Sequence, residues 1–533
     1  MDSEFCNIDW ELIMKICKYD VFFIFVCFVV LGIFTYYAWQ DVDIQFLGFT
    51  SGDELPQFRQ LNNVLNGFLE FDLEKIFRIE FYNYGYIYYL LNVLITAPFN
   101  LLEKYEWAIF APRFLNGIFS ILNLWMVYKI SNIYLVKKQS FLLVIFCLLI
   151  PGFWHYGYIF KPDVFQAFFV LCSVYFLCLD HFTYKKNFYL SILFLGFGIG
   201  IAKFQAIMFA PLLCLYVFAP FFKKLSLKDF WRGCWKSVMV VGCLLLIWIV
   251  TNPYVLYPTG AKVWWNMFVL NMLSNATNHG SYNTINLIDK LHMLGKYFLS
   301  PLIFVLVLFF YIRCISKKID KIWTYIFGSF TISLSYLLFF VNKDWGIYYI
   351  STIYLTIVLL IPILEQKNNQ ALVLIVILQI CNLFYFHSFD LFAKKSRDKI
   401  DIIKMSDEII DVLRTKTINK KTEVYTDSPN FSFEQIGLTY KNIYQLHGVL
   451  LPCLINKEEF QKKYPYKKPN KYFTQFDLII ISKSLRRKNI AMADRDKFEK
   501  ISLDTIEAMF KYGYSKFAET QHFLFYEYQG DKQ

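Results

Sequence analysis

Apolar residues in this chain come in long unbroken stretches rather than in alternation. Runs over 21–39, 108–128, 141–159, 163–180, 187–222, 237–256, 297–313, 323–341, 346–364 and 370–389 are rich in Leu, Ile, Val and Phe and nearly free of charge. About 20 such residues in a helix cross the hydrocarbon core of a bilayer, and 187–222 is long enough to cross twice. A further Tyr-rich run at 86–102 fits an interfacial or re-entrant helix as well as a span. The pattern predicts a mainly α, polytopic helical membrane protein with roughly 11 to 13 spans. The first run is too long and too poorly flanked for a cleaved signal peptide and reads as a retained span.

After residue 389 the pattern changes. The run from Asp477 to Ser482 predicts a buried strand, and 403–414 and 494–510 predict amphipathic helices. The expected organisation is a membrane domain over 1–389, with outer loops 41–107 and 257–296, followed by a small soluble α/β domain over 390–533. In loop 41–80, amphipathic pieces such as 61–69 predict helices lying on the membrane surface.

Composition agrees. Hydrophobic residues make up 57% and aromatic residues 20% of the 533, more than a soluble domain carries. Charge then orients the chain. Lys129, Lys137 and Lys138; Lys185 and Lys186; Lys223, Lys224, Lys228, Arg232 and Lys236; and Arg313, Lys317, Lys318 and Lys321 form clusters between runs. If the spans alternate from 108 onward, all four clusters share one face, which the positive-inside rule makes cytoplasmic. Loop 41–80, loop 257–296, the turn 342–345 and the tail then lie outside. On that parity, 86–102 is not a simple crossing. The net charge of +12 is distributed over these span-flanking loops and the Lys-rich tail, which argues against a nucleic-acid partner. The twelve cysteines lie mostly in or beside the runs and show neither a disulfide framework nor a zinc-ligand spacing.

Against this background the charged residues at the outer boundary stand out. Asp53 and Glu54 are adjacent carboxylates just after the first span. They suit a helix N-cap; at a membrane boundary they also suit a general base that takes a proton from an acceptor hydroxyl. Lys161, Pro162 and Asp163 start the 163–180 run, where Asp163 would orient an acceptor or steady a basic partner. Lys203 follows Gly196, Gly198 and Gly200 inside an apolar stretch. It either snorkels to the interface or supplies a point charge for a phosphate, with the glycines permitting close approach. His279 in loop 257–296, and Lys343 with Tyr348 near the turn 342–345, add possible ligands, as do Glu80 and Tyr84. Carboxylates and cations gathered at one boundary are the equipment for displacing a phosphate leaving group, and a bilayer suggests that the phosphate belongs to a lipid.

Several segments, in order and spacing, resemble the C-type-fold membrane glycosyltransferases (GT-C), specifically the protein O-mannosyltransferases and bacterial aminoarabinose transferases of lipid A. These segments are the acidic pair Asp53 and Glu54, the aromatic stretch 81–89, the stretch 111–119 with Arg113, Pro162 with Asp163, the stretch 200–203 ending at Lys203, and Asn252 to Tyr254. Where that family carries Pro-Pro or Glu-Lys-Pro before its second helix, this chain has Glu80, Phe81, Tyr82 and Asn83. The resemblance implies an enzyme that takes a sugar from a polyprenyl-phosphate donor, with inversion, to a lipid, glycan or protein hydroxyl on the periplasmic or luminal side. It also implies Asp53 as base, Asp163 as a supporting carboxylate, and Lys203 and Lys343 as phosphate ligands. No cofactor is called for, although a divalent metal remains compatible. A bacterial inner membrane is the expected setting. A glycolipid transporter or flippase is one rival, but it would carry its ionisable residues at mid-span. An oligosaccharide ligase or polymerase of the same fold class is another.

Overall fold

In the computed structural model, the described residues are 18–40, 42, 54–78, 84–277, 285–315, 321–342, 346–365, 369–386, 404–416, 418, 421–426, 438, 443–445, 476–483 and 513–529. They fall into two compact units, one spanning 1–39, 77–95 and 111–391, the other 40–76, 96–110 and 392–533.

The apolar helices lie mainly in the first unit. Lys18–Trp39, Tyr105–Tyr134, Asp163–Asp180, Leu227–Thr251, Ile322–Phe340 and Gly346–Glu365 are each long and apolar enough to cross a membrane. Leu287–Tyr297 and Pro301–Phe309, bent by 96° at a short break, make a seventh if counted as one span. Four apolar helices are shorter: Tyr86–Leu101, Lys186–Ala202, Phe204–Val217 and Leu372–Tyr385. Burial ranks them. The most apolar stretch of Gly346–Glu365 is 94% buried and that of Lys18–Trp39 only 22%, so the first is central and the second peripheral. Phe22, Phe25 and Phe28 stay exposed on the peripheral helix, a face suited to lipid and costly in water. The chain is an integral, multi-pass membrane protein.

Several predicted runs are broken, and each break has a local cause. The 141–159 run stops at Leu148, restarts as the short helix Pro151–Tyr156 with Pro151 in its first turn, and is non-helical from Gly157 to Pro162. Helix Tyr105–Tyr134 meets the carbonyls this releases with a polar stripe at helical spacing. The Asn116 amide donates to Ile159 O and to Lys161 O (3.0 Å), Ser120 Oγ to Gly157 O (2.7 Å) and Asn123 to Val164 O (3.0 Å). A buried carbonyl without a donor would be costly, so three polar side chains in an apolar helix make the irregular segment stable there. The 187–222 run breaks at a π-turn over Gly198–Ala202 and an extended Lys203 before resuming.

The second unit contains the amphipathic helix Glu54–Glu70, the short helix Leu73–Phe77 and a five-stranded sheet. Phe58, Leu61, Val64 and Leu65 are buried on the first helix, while Phe68, Leu69, Phe71 and Leu73 are exposed around its end, as an interfacial helix requires. In the sheet, β1 (Val424–Thr426) pairs in parallel with both β2 (Ile443–Gln445) and β3 (Leu478–Ser482). β5 (Phe523–Tyr528) then joins β3 to β4 (Tyr514–Glu519) through antiparallel pairs. The predicted strand at 477–482 is β3, and the predicted helix at 403–414 is observed over 404–413. The predicted helix at 494–510 lies outside the described residues.

Candidate functional site

Asp163 opens helix Asp163–Asp180, immediately after Pro162. A carboxylate in the first turn is favoured by the helix dipole, and the Asn116 and Asn123 amides hold the backbone on either side of it. Its Oδ1 accepts a hydrogen bond from Lys203 Nζ at 2.8 Å, with both side chains about 4% exposed. Its other oxygen, Oδ2, is buried and has no hydrogen-bond partner. The Lys203 ammonium also lies 4.4 Å from the centre of the Tyr348 ring and 5.5 Å from that of Tyr84, within cation–π range.

The backbone brings these groups together. Tyr84 and Lys203 form an isolated antiparallel bridge, and Gly85 N–H donates to Ala202 O at 3.0 Å. A Cβ on Gly85 would sit 2.2 Å from Gly200 O and Ile201 O, and one on Gly200 would sit 2.1 Å from Thr251 Oγ1. The glycine run before Lys203, expected to admit a phosphate, thus admits the chain's own backbone. Asn252 ties the junction: its Oδ1 accepts from Tyr86 N–H (3.0 Å), and its Nδ2 donates to Gly200 O and Trp248 O (2.9 Å each).

Tyr348 is positioned from the other side. The π-turn Tyr336–Phe340 releases carbonyls, of which Leu337 O accepts from Tyr349 Oη at 3.2 Å and from Lys290 Nζ at 3.3 Å. Lys290 also donates to Leu338 O at 2.5 Å. A buried lysine on helix Leu287–Tyr297 therefore shares a carbonyl of that π-turn with Tyr349, the neighbour of Tyr348.

Of the residues singled out from sequence, Asp163, Lys203, Tyr84 and Tyr348 converge here. Lys161 is buried, two residues before Asp163. Glu54 is buried at the start of helix Glu54–Glu70 in the other unit. Asp53, Glu80, His279 and Lys343 lie outside the described residues. Lys203, expected either to snorkel to the interface or to supply a point charge for a phosphate, is ion-paired with Asp163, and the carboxylate Oδ2 is the atom of the pair that has no hydrogen-bond partner. Sequence reasoning missed Asn116, Tyr349 and Lys290. The polar spacing Asn116, Ser120, Asn123 within an apolar run was a usable signal, whereas nothing local marked Lys290. Among the described residues no three His, Cys, Asp or Glu side chains gather as a metal site would require.

Residues 89–256, which include Asp163, Lys203 and Asn252, match the family described as dolichyl-phosphate-mannose-protein mannosyltransferase. No curated protein matches the chain in sequence. Among solved structures, ArnT from Cupriavidus metallidurans bound to undecaprenyl phosphate is similar over 95% of this chain and 97% of its own, with TM-score 0.54 and 9% identity. The archaeal oligosaccharyltransferase AglB from Archaeoglobus fulgidus, in complex with an inhibitory peptide and a dolichol-phosphate, is similar over 89% of this chain and 70% of its own, with TM-score 0.46 and 10% identity. The chain thus has the C-type membrane glycosyltransferase fold and carries, over residues 89–256, the sequence pattern of the protein mannosyltransferase family.

Proposed function

We propose that this protein moves a sugar from a polyprenyl-phosphate donor to an acceptor hydroxyl on the outer face of the membrane, with inversion at the anomeric carbon. The observation that carries the reading is the buried Asp163–Lys203 pair inside the one segment that matches a glycosyltransferase family. An ion pair buried in an apolar helical unit brings little net stability, so a role in chemistry accounts for it better than packing does. The undecaprenyl phosphate bound to ArnT supports a lipid phosphate as leaving group.

In the proposed reaction, Asp53 removes the proton from the acceptor hydroxyl, and Glu54 orients or caps it. The acceptor oxygen forms a bond to the anomeric carbon as the bond from that carbon to the phosphate oxygen breaks, and the electron pair leaves with the polyprenyl phosphate. Asp163, through its open oxygen, receives a hydroxyl of the bound sugar or acceptor, with Lys203 and the rings of Tyr84 and Tyr348 holding it in place. Lys161, His279 and Lys343 are proposed to hold the phosphate, and Glu80 to bind substrate. The positive-inside orientation supports chemistry on the face away from the cytoplasm, and a bacterial inner membrane with that face toward the periplasm is the proposed setting.

The test is a membrane assay that scans polyprenyl-phosphate sugars against lipid, glycan and protein acceptors, with products identified by mass spectrometry. Transfer with inversion is expected for one donor class, and Asp53→Asn should lower its rate by about 100-fold or more. A wild-type rate in Asp53→Asn would remove Asp53 from the mechanism. A chain that transfers no sugar from any such donor would overturn the function itself.

A further inference from the structure

Helix Glu54–Glu70 begins with an unusual set of buried polar residues: Glu54, Gln57 and Gln60, all on its core-facing side with Phe58 and Leu61. Gln57 is the telling one. It is 0% exposed, and neither its Oε1 nor its Nε2 has a hydrogen-bond partner. An amide withdrawn from water and left unpaired on both sides is a standing penalty, and buried side-chain amides are ordinarily satisfied. Nothing in the packing requires an amide there, since Leu or Met would fill a similar volume without the penalty.

We propose that Gln57 is a binding residue for a carbohydrate hydroxyl, the helix's first turns forming a polar subsite beside the Asp53–Glu54 carboxylates in sequence. The chemistry favours a polyhydroxyl ligand. An amide offers one acceptor and a two-proton donor from the same plane, which matches neighbouring hydroxyls that each donate and accept. An anion would use only the donor, and an apolar chain neither. The proposal deepens the glycosyltransferase reading and rests on it for the ligand's class, since a sugar is present on the donor and on glycan or glycolipid acceptors.

The two explanations of Gln57 predict opposite patterns of stability and binding. If the amide serves a ligand, Gln57→Met in the full-length protein, held in a sugar-free detergent, melts at or above the wild-type temperature. Its KM for the hydroxyl-bearing substrate rises about tenfold, the worth of one lost hydrogen bond of ordinary strength. Methyl α-glycosides at millimolar concentration raise the melting temperature of the wild type, and Gln57→Met abolishes that shift. The glycoside arm needs no transfer activity, so it reports on Gln57 even where the proposed reaction fails. An unshifted wild type overturns the subsite, as does a Gln57→Met protein with wild-type KM and wild-type glycoside shift. A Gln57→Met protein that melts below the wild type also overturns it, because the amide would then be holding the fold.

Discussion

At the residue scale, the chain's most consequential contact is the one between Asp163 and Lys203. Each would be costly alone in an apolar unit, and each makes the other tolerable. Removing either leaves a buried, uncompensated charge. Lys203→Met and Asp163→Asn should therefore each lower stability by about 3–5 kcal/mol, measured by denaturant titration in mild detergent. The double variant should lose clearly less than the sum, because it strands no charge. Additive losses would mean that the 2.8 Å contact is not an energetic pair. Activity separates the roles further: the double variant should recover stability but not transfer, since the open carboxylate oxygen is gone.

At the scale of elements, the site exists because helices are broken in the right places. The π-turn Gly198–Ala202 and the irregular stretch 157–162 interrupt runs that composition alone would continue as helix. Each interruption is stabilised from a neighbouring element: Asn116, Ser120 and Asn123 for one, Asn252 for the other. Asn252→Leu removes an acceptor from Tyr86 N–H and donors from two carbonyls at once. It should cost about 2 kcal/mol or more in stability and loosen the Tyr84–Lys203 bridge. Amine-reactive labelling should then reach Lys203, which is protected in the wild type. Unchanged labelling in the folded variant would show that Asn252 does not hold the junction. The family resemblance already covered Asn252, but only the fold shows why an amide, with a donor and an acceptor, is needed there.

At the scale of the whole molecule, the two units carry different chemistry and should respond differently to acid. In the second unit, Glu408 on helix 404–413 accepts from the His522 backbone N–H and sits 2.6 Å from His522 Nδ1, beside β5. Burial works to raise the Glu408 carboxyl, but hydrogen bonds from His522 and Thr520 outweigh it and hold the group below its usual 4.5. Two lysines, Lys483 and Lys516, bring Glu519 on β4 down to about 2. A carboxylate whose folded value is depressed stabilises the fold fully above its unfolded value and loses that contribution as pH falls through the folded one. Helix 404–413 and strands β4 and β5 should therefore keep their hydrogen-exchange protection from neutral pH down to the usual carboxylate range and lose it progressively below. The span helices of the first unit should be far less affected over that window. Equal loss in both units would remove these carboxylates as the cause.

Much was legible without the fold. Runs of apolar residues marked the membrane helices because the bilayer imposes a length on every span. Charges inside those runs, Asp163 and Lys203 above all, marked themselves by their cost. Strand β3 and helix 404–413 followed from local periodicity. What the sequence could not reveal was who meets whom. Asp163 and Lys203 are 40 residues apart, and their pairing depends on where two helices break. Lys290 reaches Leu337 across 47 residues, and Gln57 looks like any polar residue on an amphipathic helix until its burial is known. By itself the sequence determined the membrane character and the identity of the costly charges, because hydrophobicity and charge act residue by residue. Only the tertiary structure decided that Lys203 is neutralised while an oxygen of Asp163 stays open, because pairing and burial are properties of distant residues brought together by packing.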